Sequence, residues 1–226
     1  MDREAYVLFG LVSAIGFIVA ALRSSALRGY RRLLDPGART EGDAATRGTL
    51  AGRRVEIGFT SAESASRPAR VLVGVECATP IRLEAHARSL ATKARTALGI
   101  YRESATGIDE LDRRYVFLFL EPDAKRMLAQ DSVRKALLTL ADRGADHVLL
   151  TNGWLTATIP MTLVIPPTRE RVREAVSAMT QVAASGGVGS ATPEDPAWPA
   201  ARASDAAIMG PARIAVFFLA MSLAFF

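Results

Sequence analysis

The chain has 226 residues, half of them apolar and only 7% aromatic, with 28 basic and 23 acidic side chains and a formal charge of +5. One cysteine excludes an intrachain disulfide framework and a thiolate metal cluster, and two histidines leave little material for a His-built metal site. A chain this apolar is not disordered as a whole, and its densest apolar runs lie near its two ends.

Tyr6 to Leu22, YVLFGLVSAIGFIVAAL, carries no charge. As a helix it would measure about 26 Å, close to the hydrocarbon thickness of a bilayer. A transmembrane helix is the expectation. The alternative, a cleaved signal peptide, is opposed by Asp2 and Glu4, because such peptides begin basic. Only Arg3 precedes the run, whereas Arg23, Arg28, Arg31 and Arg32 follow it. Positive residues are retained on the cytoplasmic side, which puts the N-terminus outside and everything after Arg23 in the cytoplasm of a bacterial inner membrane. Those four arginines are expected to meet anionic lipid headgroups. Around the helix, Gly10, Ser13, Ala14, Gly16, Phe17 and Ala20 share one arc, and Leu11, Ile15, Ile18 and Leu22 lie opposite. The pairs Gly10/Ala14 and Gly16/Ala20 let another helix come close, so this arc is expected to be a packing face.

Residues 35–49 are polar and Gly-rich and read as a linker before a domain spanning 50–184. In that domain Val55, Ile57 and Phe59 alternate with polar or small neighbours, as do Val71, Val73 and Val75, which predicts two half-buried strands. Ile81, Leu83 and Ala85 continue the alternation. Ser89 to Leu98 reads as a helix with Leu90, Ala94 and Leu98 on one side. Tyr115 to Leu120, YVFLFL, is a continuous apolar run and reads as a central strand covered on both faces. A helix follows, capped by Asp131 or Ser132, with Val133, Leu137 and Leu140 as its buried stripe and Gly144 at its end. Asn152-Gly153 joins two apolar runs into a hairpin whose register pairs Leu150 with Leu155 and Val148 with Ala157. Pro166-Pro167-Thr168 opens a last helix with the stripe Val172, Val176, Met179 and Ala183. The fold class is therefore α+β: a mostly antiparallel sheet with helices on one face, flanked by membrane helices.

Residues 185–205 are a Gly/Pro-rich linker, and its GGVGS lacks the Lys-Ser/Thr of a phosphate loop. Trp198 within it is a candidate membrane or partner contact. The final run Ile214 to Phe226 is uncharged, with Pro211 placed to open a helix, and is expected to insert in the membrane from residue 206 onward. There Arg213 would reach the headgroups and Phe217 and Phe218 would contact lipid or partner.

The stretch TGIDELDRRYVFLFLEPDAKRMLAQDSVRKALLTLADRG joins Thr106-Gly107 and Leu111-Asp112 to an apolar strand, an acidic turn and a Leu-rich helix. It resembles a family of uncharacterised bacterial membrane-anchored proteins that couple one or two membrane helices to a cytoplasmic α+β domain. Where that family has a phenylalanine before the aspartate, Leu111 stands here. The resemblance implies no catalytic residues.

No Gly-x-Ser-x-Gly, HExxH, CxxC or kinase signature is present. Cys77, at a strand end, reads as a small buried hydrophobe. His147 faces away from the core, and His86 has no second ligand at metal spacing. Asp109, Glu110 and Asp112 beside Arg113 and Arg114 read as a solvated turn. No catalytic residue, metal or cofactor is expected. All but three of the basic residues are arginine, spread along the chain without interleaved aromatics, which argues against nucleic acid as a partner. The expected role is a non-catalytic accessory subunit that stabilises an integral membrane complex, of which photosynthetic and respiratory assemblies are examples. Its partners would be other integral membrane subunits and anionic lipid. The alternative is a membrane-anchored ligand-sensing or enzymatic module.

Overall fold

A computed structural model describes residues 3–41, 45–60, 69–162 and 165–185, the side chains of 3–12, Glu41 and Phe119 excepted. Arg213, Trp198, Phe217 and Phe218, residues 186–205 of the second linker and the C-terminal apolar run lie outside the described residues, whereas Ser185 is helical.

The described chain is α+β, with an eight-stranded sheet and six helices. Helix α1 (Arg3–Arg31) leads into β1 (Arg39–Glu41), β2 (Ala45–Leu50), β3 (Arg53–Phe59), β4 (Arg70–Glu76) and β5 (Leu83–Ala87). Then come α2 (Leu90–Ala97), α3 (Asp109–Arg114), β6 (Tyr115–Leu120), α4 (Pro122–Leu128) and α5 (Asp131–Asp142). The chain continues through β7 (His147–Thr151), β8 (Trp154–Pro160) and α6 (Arg169–Ser185). The strand order is β1-β2-β3-β4-β8-β7-β5-β6, and every neighbouring pair is antiparallel.

Alternation sets the register. Ile57 pairs with Val73, Val73 with Ala157, Ala157 with Val148, and Val148 with Ala85. This apolar row crosses five strands, and each of its members is almost wholly buried. A slip of one residue would turn every one of these side chains to the opposite face, so burial holds the pairing in place. The hairpin has the predicted register, Leu150 with Leu155 and Val148 with Ala157. Its turn residues Asn152 and Gly153 both have positive φ, 51° and 75°, as a two-residue type I′ turn requires.

One face of the sheet carries the helices. Helix α6 lies on β4 and α5 packs on α6. Val133, Leu137 and Leu140 of α5 and Val172, Val176, Met179 and Ala183 of α6 are buried at that interface, as their periodicity predicts. The end of α1 and the turn after it join the same layer: Leu27, Tyr30 and Leu34 belong to the core and α1 touches β2, β3 and α6. Among the described residues no helix is long and apolar enough to cross a membrane. The uncharged run straddles residue 12, and residues 13–22, the part of it whose side chains are described, cover only about 15 Å.

Four expectations are corrected. Residues 35–49 are no plain linker. They form β1 and most of β2, and Gly48 lets Ala38 lie so close that an added Cβ would sit 2.7 Å from the Ala38 Cβ. The run YVFLFL is an edge strand, paired with β5 alone. It is apolar because α3 covers its start and the loop between α2 and α3 caps its free edge, with Ser104 N–H donating to the Phe117 carbonyl at 2.7 Å. On α2, Leu90 and Leu98 are 86% and 74% exposed, and Thr92 is the buried residue. Helix α5 starts at Asp131 with Gln130 at the cap position, so neither Asp131 nor Ser132 caps it.

Candidate functional site

The face of the sheet opposite the helices carries the other half of the alternation. The register that sets Val148 against Ala85 in the core also sets His147 directly against His86. Glu84, two residues before His86 on β5, shares that face. The chain's only two histidines are thus brought together with a carboxylate that is 63 residues from His147 in sequence.

The geometry is tight. The two imidazoles stack with centroids 4.4 Å apart and planes at 24°. Both Nε2 atoms reach the same oxygen, Glu84 Oε1, at 3.1 Å from His86 and 3.3 Å from His147. Tyr101, after α2, stacks on His86 at 5.2 Å, and Arg95 donates to the Tyr101 hydroxyl at 2.7 Å. His86 is therefore clamped between two rings. Asp146, next to His147, accepts from Thr158 at 2.5 Å and from Arg70 at 2.8 Å, which ties the start of β7 to β8 and β4. All three groups of the cluster are half-buried. Burial and the neighbouring His86 push the His147 imidazole below its usual pKa, and Glu84 pulls against them. The neutral form, with a ring nitrogen free to act as a ligand, is thereby favoured. Glu84, His86 and His147 offer three donor atoms that all lie within 4.8 Å of one another and could hold a metal ion.

Local sequence could not reveal this cluster, because the ligands are joined by strand pairing and not by spacing along one element. The one available signal was parity: in β5 and β7 the histidines occupy positions out of step with the buried Ala85 and Val148.

Most of the other candidate residues lie along α1 and the turn after it. Arg28, Arg31 and Arg32 line an open groove of about 540 Å³ together with Asp35 and Gly37. Asp35 accepts from the Thr49 hydroxyl at 3.0 Å and its own N–H donates to the Thr49 carbonyl at 2.8 Å, so β2 fixes one wall. Arg23 turns towards the domain, with its guanidinium carbon 5.6 Å from the Phe59 ring centroid. Gly10, Ser13, Ala14, Gly16, Phe17 and Ala20 are all helical, and Phe17 is 74% exposed. Cys77 is wholly buried after β4, and burial pushes its thiol up to about 11, far from a nucleophilic thiolate. Asp112 accepts from the backbone N–H groups of Thr106 and Gly107 and from the Thr106 hydroxyl. It shapes the loop before α3.

Compared with protein-family models, curated proteins and solved structures, the chain matches none.

Proposed function

We propose that this protein is a membrane-anchored, non-catalytic accessory subunit that stabilises an assembly of other integral membrane subunits, with its α+β domain held at the cytoplasmic surface. The observation that carries this reading is the continuity of α1. The helix runs unbroken from Arg3 to Arg31. Its uncharged stretch Tyr6–Leu22 therefore shares one rigid rod with Leu27 and Tyr30, which are built into the domain's core.

Exposure along the rod supports the same division. Ile15, Phe17 and Ile18 are more than half exposed, whereas Leu27 and Tyr30 are each 1% exposed. Apolar side chains standing clear of the domain, on a helix continuous with an uncharged run, suit lipid or another helix. Arg28, Arg31 and Arg32 follow directly, and three guanidinium groups around one groove suit the phosphates of anionic lipid. A flexible tether would leave the domain free to reorient. A helix locked into the core sets both height and direction, which is what an organising subunit needs.

The test begins with alkaline carbonate extraction of membranes, from which the chain should not be released. Solubilisation in mild detergent should then yield it with membrane partners. A monodisperse monomer without companions would reject the accessory role. Replacing Arg28, Arg31 and Arg32 by Gln should lower the affinity of the detergent-purified chain for nanodiscs of anionic over zwitterionic lipid. The loss should shrink at high salt, because exposed charges are screened over about 10 Å at 0.1 M ionic strength.

A further inference from the structure

We propose that Glu84, His86 and His147 form a binding site for a divalent transition ion of the zinc type on the face of the sheet opposite α5 and α6. The inference is independent of membrane anchoring and goes beyond the accessory role.

The first argument is the donor set. Two imidazoles and one carboxylate make the ligand combination that suits Zn²⁺ and its neighbours in the first transition row, and not Ca²⁺ or Mg²⁺, which want oxygen. The second is spacing. Zinc bonds of about 2.0–2.2 Å at tetrahedral angles place neighbouring donors about 3.3 Å apart. Glu84 Oε1 lies 3.1 Å from one imidazole nitrogen and 3.3 Å from the other. For an ion to bind, the two rings must turn out of their stack so that both nitrogen lone pairs point to one centre.

The third argument is preorganisation. Each ligand stands on a strand whose register is held by the buried row on the other face. Tyr101 supports His86 from its outer side, and Arg95 holds Tyr101. The site thus meets the ion with its ligands already gathered, and ordering three side chains costs little on binding. The exposed flank of the cluster leaves the remaining coordination position to water or to a donor from outside the chain.

The presence of only two histidines gives a test that needs no substitution. The full, untagged chain in detergent, stripped with EDTA, is treated with diethylpyrocarbonate and analysed by peptide mass. Without metal both His86 and His147 should be modified. One equivalent of Zn²⁺ should protect both, since each nitrogen attacked is then a ligand. Co²⁺ in the same site should give the visible absorption of low-coordinate cobalt, lost on adding Zn²⁺. Glu84→Gln and His147→Ala should each weaken binding on the order of 100-fold, at or above the effect of losing a supporting residue. Tyr101→Phe should leave it within a few-fold. Protection of neither histidine, or of only one, overturns the site, as does equal affinity in the wild type and the His86→Ala/His147→Ala variant. The protection experiment on the wild type decides the matter even if a variant does not fold.

Discussion

Tyr30 shows how one side chain can connect α1 to the rest of the domain. Its ring lies 6.4 Å from that of Phe59, and its hydroxyl donates to the Pro167 carbonyl at 2.6 Å, 137 residues away. Tyr30→Phe keeps the ring and orphans a buried carbonyl, a cost of about 1–3 kcal/mol. Tyr30→Ala adds a cavity and should cost about 3–5 kcal/mol. Thermal unfolding of the full chain in detergent should rank the two in that order, and equal losses would show that the ring contributes nothing. Gly48→Ala tests the close approach of Ala38. With no room for a methyl group, it should destabilise by about 1–3 kcal/mol. Cys77 supplies a pH test. Its thiol shifts from 9.0 up to about 11 in the fold, so the folded state holds a proton that the unfolded state releases. Stability from this group is therefore intact below pH 9 and falls as pH rises from 9 towards 11. Cys77→Ala should flatten that decline in a pH series of denaturation curves, and an unchanged slope would assign it to other groups.

At the scale of elements, legibility followed the range of the interaction that decides each one. The β7–β8 hairpin and the stripes of α5 and α6 could be read from local pattern, because turn chemistry and periodicity act within a few residues. The position of β6 could not. An apolar run reads as a central strand, but β6 is an edge whose free side is capped by Ser104, a contact made by the loop before it. Helix α2 failed in the opposite sense. Its periodic Leu90, Ala94 and Leu98 suggested a buried stripe, yet Leu90 and Leu98 are exposed. What holds α2 is its start: Ser89 and Thr92 form a capping box, and the Thr92 hydroxyl donates to the Ala87 carbonyl at 3.2 Å. Leu90→Ser should thus change stability by no more than about 0.5 kcal/mol. Thr92→Val should cost about 1 kcal/mol through the cap. Denaturant midpoints of the two variants check both values, and a larger loss from Leu90→Ser would mean that the face is covered.

For the whole molecule the decisive property is the rod that α1 makes between an uncharged stretch and a folded core. Ser25→Pro, at an exposed position between the two, should break the helix at a cost of about 3 kcal/mol and free the domain to reorient. Spin labels at Ile18 and at an exposed domain position such as Lys93 should then show a broadened distance distribution in detergent or nanodiscs. An unchanged width would mean that contacts other than helix continuity set the domain's orientation.

Composition and pattern by themselves determined the α+β class, the hairpin register, the buried stripes and the uncharged run ahead of four arginines, since each depends on neighbours in sequence or on a period of two or 3.6. Only the tertiary structure decided where β6 lies, that residues 35–49 belong to the sheet, and that α1 enters the core. It alone united Glu84, His86 and His147, because strand pairing across the sheet joins residues far apart in the chain, and its register is chosen by burial on the other face.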